Sequence, residues 1–303
     1  MHIYVKNTLK VLGAFTIVLI AGAIIANQDS HEEETNGYQE TRSTLSDAAK
    51  LLLDEKECLK RNWGACTNAG VAYSNGNGVE QNYTKAFARF TKACDHGDDT
   101  GCYDLGIVYE NGEGIVKDEA KAVELYKKSC DLGEASGCSA YGMKLLDRAN
   151  DVADAETALD LIRRACDDKN AQSCVRLGIL YSHGMAFVDA DAPRAFKYFS
   201  QACELGYADG CYFKANAYEE GNGVRASIPI AFNIYAENCE KRLDGSSCYS
   251  AGVMLQGYTD EIPENREQAL KYFNIGCEKG SDDSSCEEVK LLRAQFDSKH
   301  PEQ

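Results

Sequence analysis

The chain has 303 residues, with 48 Asp and Glu against 32 Lys and Arg, for a formal net charge of −16. That surplus argues against nucleic acid, where affinity comes from basic groups meeting phosphates, and against adsorption to anionic lipid. A basic partner is permitted, although an acidic face is also simply a well-solvated one.

The first element is an uncharged, mostly apolar run of 16 residues from Val11 to Ala26. Lys6 and Lys10 precede it, and Asp29 and His31-Glu-Glu-Glu34 follow. Positive before and negative after fits export with the C-terminal part outside the cytoplasm. Residues 1–26 therefore read as a cleaved signal peptide or a retained signal anchor. Retention would hold the protein at the inner membrane through Val11 to Ala26. Residues 27–45 carry few apolar side chains and read as a polar linker.

From Ser46 a repeat begins. Seven cysteine pairs recur: Cys58/Cys66, Cys94/Cys102, Cys130/Cys138, Cys166/Cys174, Cys203/Cys211, Cys239/Cys248 and Cys277/Cys286. The gap within a pair is eight residues, or nine in the last two, and pair starts are 36 to 38 apart. Other markers keep the same phase. Four residues after the second cysteine stands a small residue (Gly70, Gly106, Gly142, Gly178, Ala215, Gly252). Eight residues before each next cysteine stands an alanine, and four before that a capping residue: Asn82, Asp118, Asp154, Asp191, Ser227 or Asn265. Large apolar residues follow at helical spacing, such as Val123 and Tyr126.

Each unit thus reads as two helices. Helix A starts near the second cysteine and ends in a glycine-rich turn such as Asn111-Gly-Glu-Gly114. Helix B runs from the cap to the next cysteine and stops at a glycine three residues on (Gly97, Gly133, Gly206, Gly280). The third and sixth units lose the Gly-x-Gly turn, at Leu146 to Val152 and at Gly257 to Pro263. Ser46 to Cys58 reads as a lone capping helix B, and Ser285 to Gln295 as a closing helix A. Residues 46–295 form the repeat domain, and 296–303 a frayed tail. A fixed period of this kind means that each repeat packs mainly on its neighbours.

An even count of regularly paired cysteines points to crosslinks and an oxidising compartment. Two pairings suit the geometry. One joins the cysteines of each short pair across the corner between successive units. The other joins helix A to helix B within a unit, for example Cys66 to Cys94, and leaves Cys58 and Cys286 stranded. Zinc fits poorly, because its cysteines usually stand two to four apart. No cofactor or metal is expected. No Gly-x-Ser-x-Gly, His-Glu-x-x-His or Walker loop occurs, so no catalytic residue is assigned.

The run Leu105-Gly106, Tyr109, Gly112-Glu-Gly114, Lys121-Ala122, Tyr126, Cys130 and Gly133 resembles a Sel1-like repeat, a relative of the tetratricopeptide repeat. The cysteine pairs resemble those of the cysteine-rich Sel1 subgroup typified by the Helicobacter cysteine-rich proteins. The resemblance covers Ser46 to Lys290. It implies an all-α, α/α solenoid (superhelix) of about six disulfide-stapled repeats with capping half-repeats, and supports the short pairing. It also implies a scaffold for protein–protein or peptidoglycan-derived ligands in the periplasm or at the outer face of the bacterial inner membrane. Secretion and the mitochondrial intermembrane space are the alternative locations. A monomer is expected. In related repeats helix A lines a groove, which here places Tyr103, Asp104, Arg176, Tyr212 and Tyr249 against a partner. The family also offers a different activity, penicillin binding with weak β-lactam hydrolysis. Ser-x-x-Lys and Lys-Thr-Gly, the serine β-lactamase signatures, are both absent from this chain.

Overall fold

The structure, a computed structural model, describes residue 42 and residues 45–185, 187–258 and 265–299. The expected signal or anchor segment at Val11 to Ala26, most of the linker and the end of the tail lie outside these residues. The described residues are all-α. Their one non-helical pairing is the bridge between Met185 and Val188. The fold class is an all-α solenoid of helical hairpins.

The chain divides into two units, the first ending at His96 and the second starting at Gly97. The first holds α1 (Asp47–Leu59), α2 (Trp63–Asn75) and α3 (Tyr83–Asp95). The hydroxyl of Ser46 accepts from the Ala49 N–H and starts α1 as the expected capping helix. The linker's end is docked, because Arg42 Nε donates to the fully buried Asp54 carboxylate at 2.9 Å. Gly78, at φ 70°, lies so close to the backbone of Asp47 and Ala48 that any side chain would collide. The glycine turn therefore lets one hairpin's loop cross the start of the preceding helix.

The second unit holds α4 (Asp99–Asn111), α5 (Glu119–Leu132), α6 (Ala135–Leu146), α7 (Val152–Asp167) and α8 (Ala171–His183). It continues with α9 (Ala192–Glu204), α10 (Ala208–Glu220), α11 (Ile228–Arg242), α12 (Gly245–Val253), α13 (Arg266–Glu278) and α14 (Asp283–Lys299). Consecutive helices pack as antiparallel pairs. Successive A helices also touch, α4 with α6, α6 with α8, α8 with α10 and α12 with α14. The small residue of helix A admits a side chain of helix B. A Cβ on Gly106 would stand 2.6 Å from the Tyr126 ring, and Gly178 and Gly252 meet Phe199 and Phe273 in the same way. Closing helix α14 runs to Lys299, past the expected end at residue 295.

Two capping assignments change. Asp154 does not cap α7. Asp151 does, accepting from the Asp154 N–H at 2.9 Å, while Asp154 reaches back to the Asn150 N–H. Without a Gly-x-Gly turn the connection shortens, and α7 gains length at its start, reaching 16 residues. Ser227 makes no side-chain cap bond. Asn82, Asp118, Asp191 and Asn265 each cap as expected.

Six short cysteine pairs are bonded across the corners: Cys58–Cys66, Cys130–Cys138, Cys166–Cys174, Cys203–Cys211, Cys239–Cys248 and Cys277–Cys286. Their Cα atoms lie 4.3 to 4.7 Å apart. Cys94 and Cys102 are disulfide-bonded as well. Each corner needs one left-handed residue, and the cysteine gap decides where it falls. In the eight-residue gaps it stands three after the first cysteine: Arg61, Gly97, Gly133, Lys169 and Gly206. In the nine-residue gaps it moves one further, to Leu243 and Ser281. Gly280, expected to end α13, is therefore not the left-handed residue of its corner.

Candidate functional site

Three of the expected groove residues share one geometry. Tyr103, Tyr212 and Tyr249 each follow the second cysteine of a pair by one residue. Each lays its ring against the buried aromatic of its own helix B. The centroids are 5.8 Å apart for Tyr103–Tyr126, 5.7 Å for Tyr212–Tyr235 and 5.9 Å for Tyr249–Phe273, all tilted. The rings are half-buried, and their hydroxyls are neither buried nor hydrogen-bonded among the described residues. A tyrosine with an apolar body packed and a polar tip in water suits a recognition surface. Burial pushes the phenols of Tyr103 and Tyr212 up.

The two charged members have different surroundings. Burial, then the nearby carboxylates of Asp98 and Glu134, raises Asp104 to about 7. Arg176 Nη1 lies 3.5 Å from the Ser139 hydroxyl, and its charge offsets part of the burial effect at Tyr103 and Tyr207. The fold thus brings Tyr103, Asp104 and Arg176 into one electrostatic neighbourhood. Tyr212 instead feels Asp244, Glu219 and Glu220, and Tyr249 lies in the next hairpin.

A second feature was not anticipated. The Tyr126 hydroxyl donates to Glu110 at 2.5 Å, and the Tyr235 hydroxyl to Glu219 at 3.1 Å. Glu110 also receives Lys144 at 2.5 Å. Burial alone would raise Glu110, but the hydrogen bonds from Lys144 and Tyr126 and the Lys144 charge outweigh it and hold the carboxyl below its usual range. Among the described residues Glu219 has no such cation, and burial leaves it raised despite the Tyr235 bond, with its neighbour Glu220 adding to the effect. The signal was legible in the sequence. The two units with tyrosine at this position of helix B carry glutamate 16 residues earlier, whereas Phe90, Ile162, Phe199 and Phe273 are preceded there by Ser74, Leu146, His183 and Gly257.

Among the described residues no group of three or more His, Cys, Asp or Glu could hold a metal. Ser182 Oγ and His183 Nδ1 stand 2.8 Å apart. The Ser182 hydroxyl also donates to the Ile179 carbonyl at 2.9 Å, and Nδ1 lies 3.2 Å from the same carbonyl.

The Sel1 repeat family model matches residues 63–98, 100–134, 171–207, 208–237 and 245–281, more than half of the chain. The unit it skips is the third, whose turn departs from the pattern. The chain belongs to the Sel1 repeat family, and its cysteine pairs make it a cysteine-rich Sel1-like repeat protein. No curated protein matches it. It is similar in fold to a Sel1 repeat protein from Oxalobacter formigenes, at 22% identity over 76% of this chain and 91% of that one, with a TM-score of 0.59. It is also similar to a protective antigen of uropathogenic Escherichia coli that displays an SLR fold, at 22% identity, with a TM-score of 0.54. That match covers 82% of this chain and 53% of the antigen, so the chain spans about half the antigen's length. Helicobacter pylori cysteine rich protein B matches at 32% identity over 32% of this chain and 72% of its own, with a TM-score of 0.31.

Sel1 repeats are protein-interaction modules. The many disulfides fit an oxidising, extracytoplasmic compartment. Among the described residues no helix is long and apolar enough to cross a membrane.

Proposed function

We propose that the protein is an exported scaffold of the cell envelope whose helix A face captures a protein or peptidoglycan-derived ligand. One observation carries this reading. Tyr103, Tyr212 and Tyr249 recur at one repeat position with packed rings and unpaired, unburied hydroxyls. Tyrosine and arginine are frequent anchors at interfaces, and Arg176 and Asp104 supply opposite charges beside Tyr103. The periplasm, or the outer face of the inner membrane, is the compartment this reading assigns. The charge order around Val11 to Ala26 and the oxidised corners support it.

The test is capture from a crosslinked envelope fraction. The triple variant Tyr103→Phe, Tyr212→Phe and Tyr249→Phe keeps the rings and removes the hydroxyls. This variant and a separate Arg176→Glu variant should each lose the captured partner, while the melting temperature holds. Equal capture by wild type and both variants would remove the tyrosine face from consideration.

A further inference from the structure

Where α8, α9 and α10 meet there is a cavity of about 390 Å³. Its wall is aromatic: Phe196, Phe199 and Phe213 line it, and the last two stack with centroids 4.8 Å apart. At its rim stand His183 and Glu220, which occupy the same position in successive repeats, nine residues after the second cysteine.

Glu220 is held from both sides. Asn216 Nδ2 donates to one carboxylate oxygen at 3.1 Å, and Asn222 Nδ2 to the other at 2.5 Å. Both donors are neutral amides, which orient a carboxylate without cancelling its charge. No lysine or arginine forms an ion pair with Glu220 among the described residues. An aromatic cavity of this size with a few convergent polar groups is the common form of a ligand site. The uncompensated carboxylate at its mouth favours a cation.

We propose that this cavity docks an extended peptide segment carrying an aromatic side chain next to a lysine or arginine. The aromatic ring enters among the three phenylalanines. The neighbouring ammonium or guanidinium meets Glu220, and the net charge of −16 draws such a segment toward the chain. None of Tyr103, Asp104, Arg176, Tyr212 and Tyr249 lines this cavity, so the tyrosine face stands or falls separately.

The experiment is calorimetric titration of the full chain with the acetylated, amidated hexapeptide Gly-Ser-Phe-Lys-Ser-Gly. Two control peptides replace its phenylalanine by alanine or its lysine by glutamate. Changing the probe leaves the protein's folding untouched. Saturable binding is expected, weakened by about tenfold or more in each control, the equivalent of ~1.4 kcal/mol. Glu220→Lys lies on an exposed position and should reverse the preference, so that the glutamate peptide binds better than the lysine peptide. Absence of saturable binding, equal binding of the alanine peptide, or an unchanged charge preference in Glu220→Lys would each overturn the assignment.

Discussion

The hydroxyl of Tyr126 reaches Glu110 across the hairpin at 2.5 Å, and Lys144 of the next repeat meets the same carboxylate. One buried ring thereby ties two repeats through a single acid. The matching pair Tyr235 and Glu219 lacks the lysine and has a longer bond of 3.1 Å. Tyr126→Phe should cost about 1.5–3 kcal/mol, the range for a hydrogen bond to a charged group, and Tyr235→Phe less. Denaturant titration of the two variants at neutral pH checks the order.

The same pairs respond to pH with opposite signs. Glu110 is held below its usual value in the folded state, so it contributes stability above the unfolded carboxylate pKa and loses it as pH falls through the folded one. Glu219 is raised, so it opposes folding at neutral pH and that penalty lifts as pH falls through its raised value. Glu110→Gln should therefore lower the melting temperature at pH near 7 and much less in acid, whereas Glu219→Gln should be neutral or stabilising near pH 7. Thermal melts across this range separate them.

Asp104, raised to about 7, makes the clearest pH prediction. The folded state takes up a proton that the unfolded state releases, so wild type gains stability as pH falls from above about 7 toward the ordinary carboxylate value. Asp104→Asn should be more stable than wild type at about pH 8, by on the order of 2–4 kcal/mol, and the difference should shrink toward pH 5. An unchanged difference across the melts would mean that the carboxyl is not desolvated.

Corner conformation offers a backbone test. Lys169 adopts φ 67° where Gly97, Gly133 and Gly206 stand in other units. A left-handed non-glycine residue costs about 1–2 kcal/mol, offset in part by the greater chain entropy of glycine. Lys169→Gly should therefore raise stability by roughly 0.5–1 kcal/mol, and Gly133→Ala should lower it. Unfolding free energies of both variants decide the sign.

The first corner can be read optically. Trp63 is the only tryptophan, it stacks on His96 at 3.9 Å, and it packs against Cys58 and Cys66. Removing that bond with Cys58→Ala and Cys66→Ala should cost about 2–3 kcal/mol by the loop-entropy relation and shift the Trp63 emission. Emission that follows wild type through denaturation would show that the bond does not brace this corner.

Much of the fold was legible because it repeats. Cysteine pairs, small residues, alanines and caps recur in phase, so a helix misread in one unit is corrected by the others. The expected caps at Asn82, Asp118, Asp191 and Asn265 form, since a cap depends only on its own first turn. Asp154 fell elsewhere because its unit lacks the Gly-x-Gly turn, and Gly280 because its cysteine gap is one residue longer. There the choice of capping or left-handed residue depends on how the chain closes the corner.

Periodicity by itself determined the helical hairpins and the sulfur available at every corner, since those are local properties of the chain. It left two cysteine pairings open and, the two Tyr–Glu pairs apart, could not say which polar groups converge. Only tertiary packing bonded the short pairs, laid Tyr103, Tyr212 and Tyr249 on their helix B rings, and set Glu220 uncompensated beside three phenylalanines. Distance between repeats decides those contacts, and a one-dimensional pattern carries no distance.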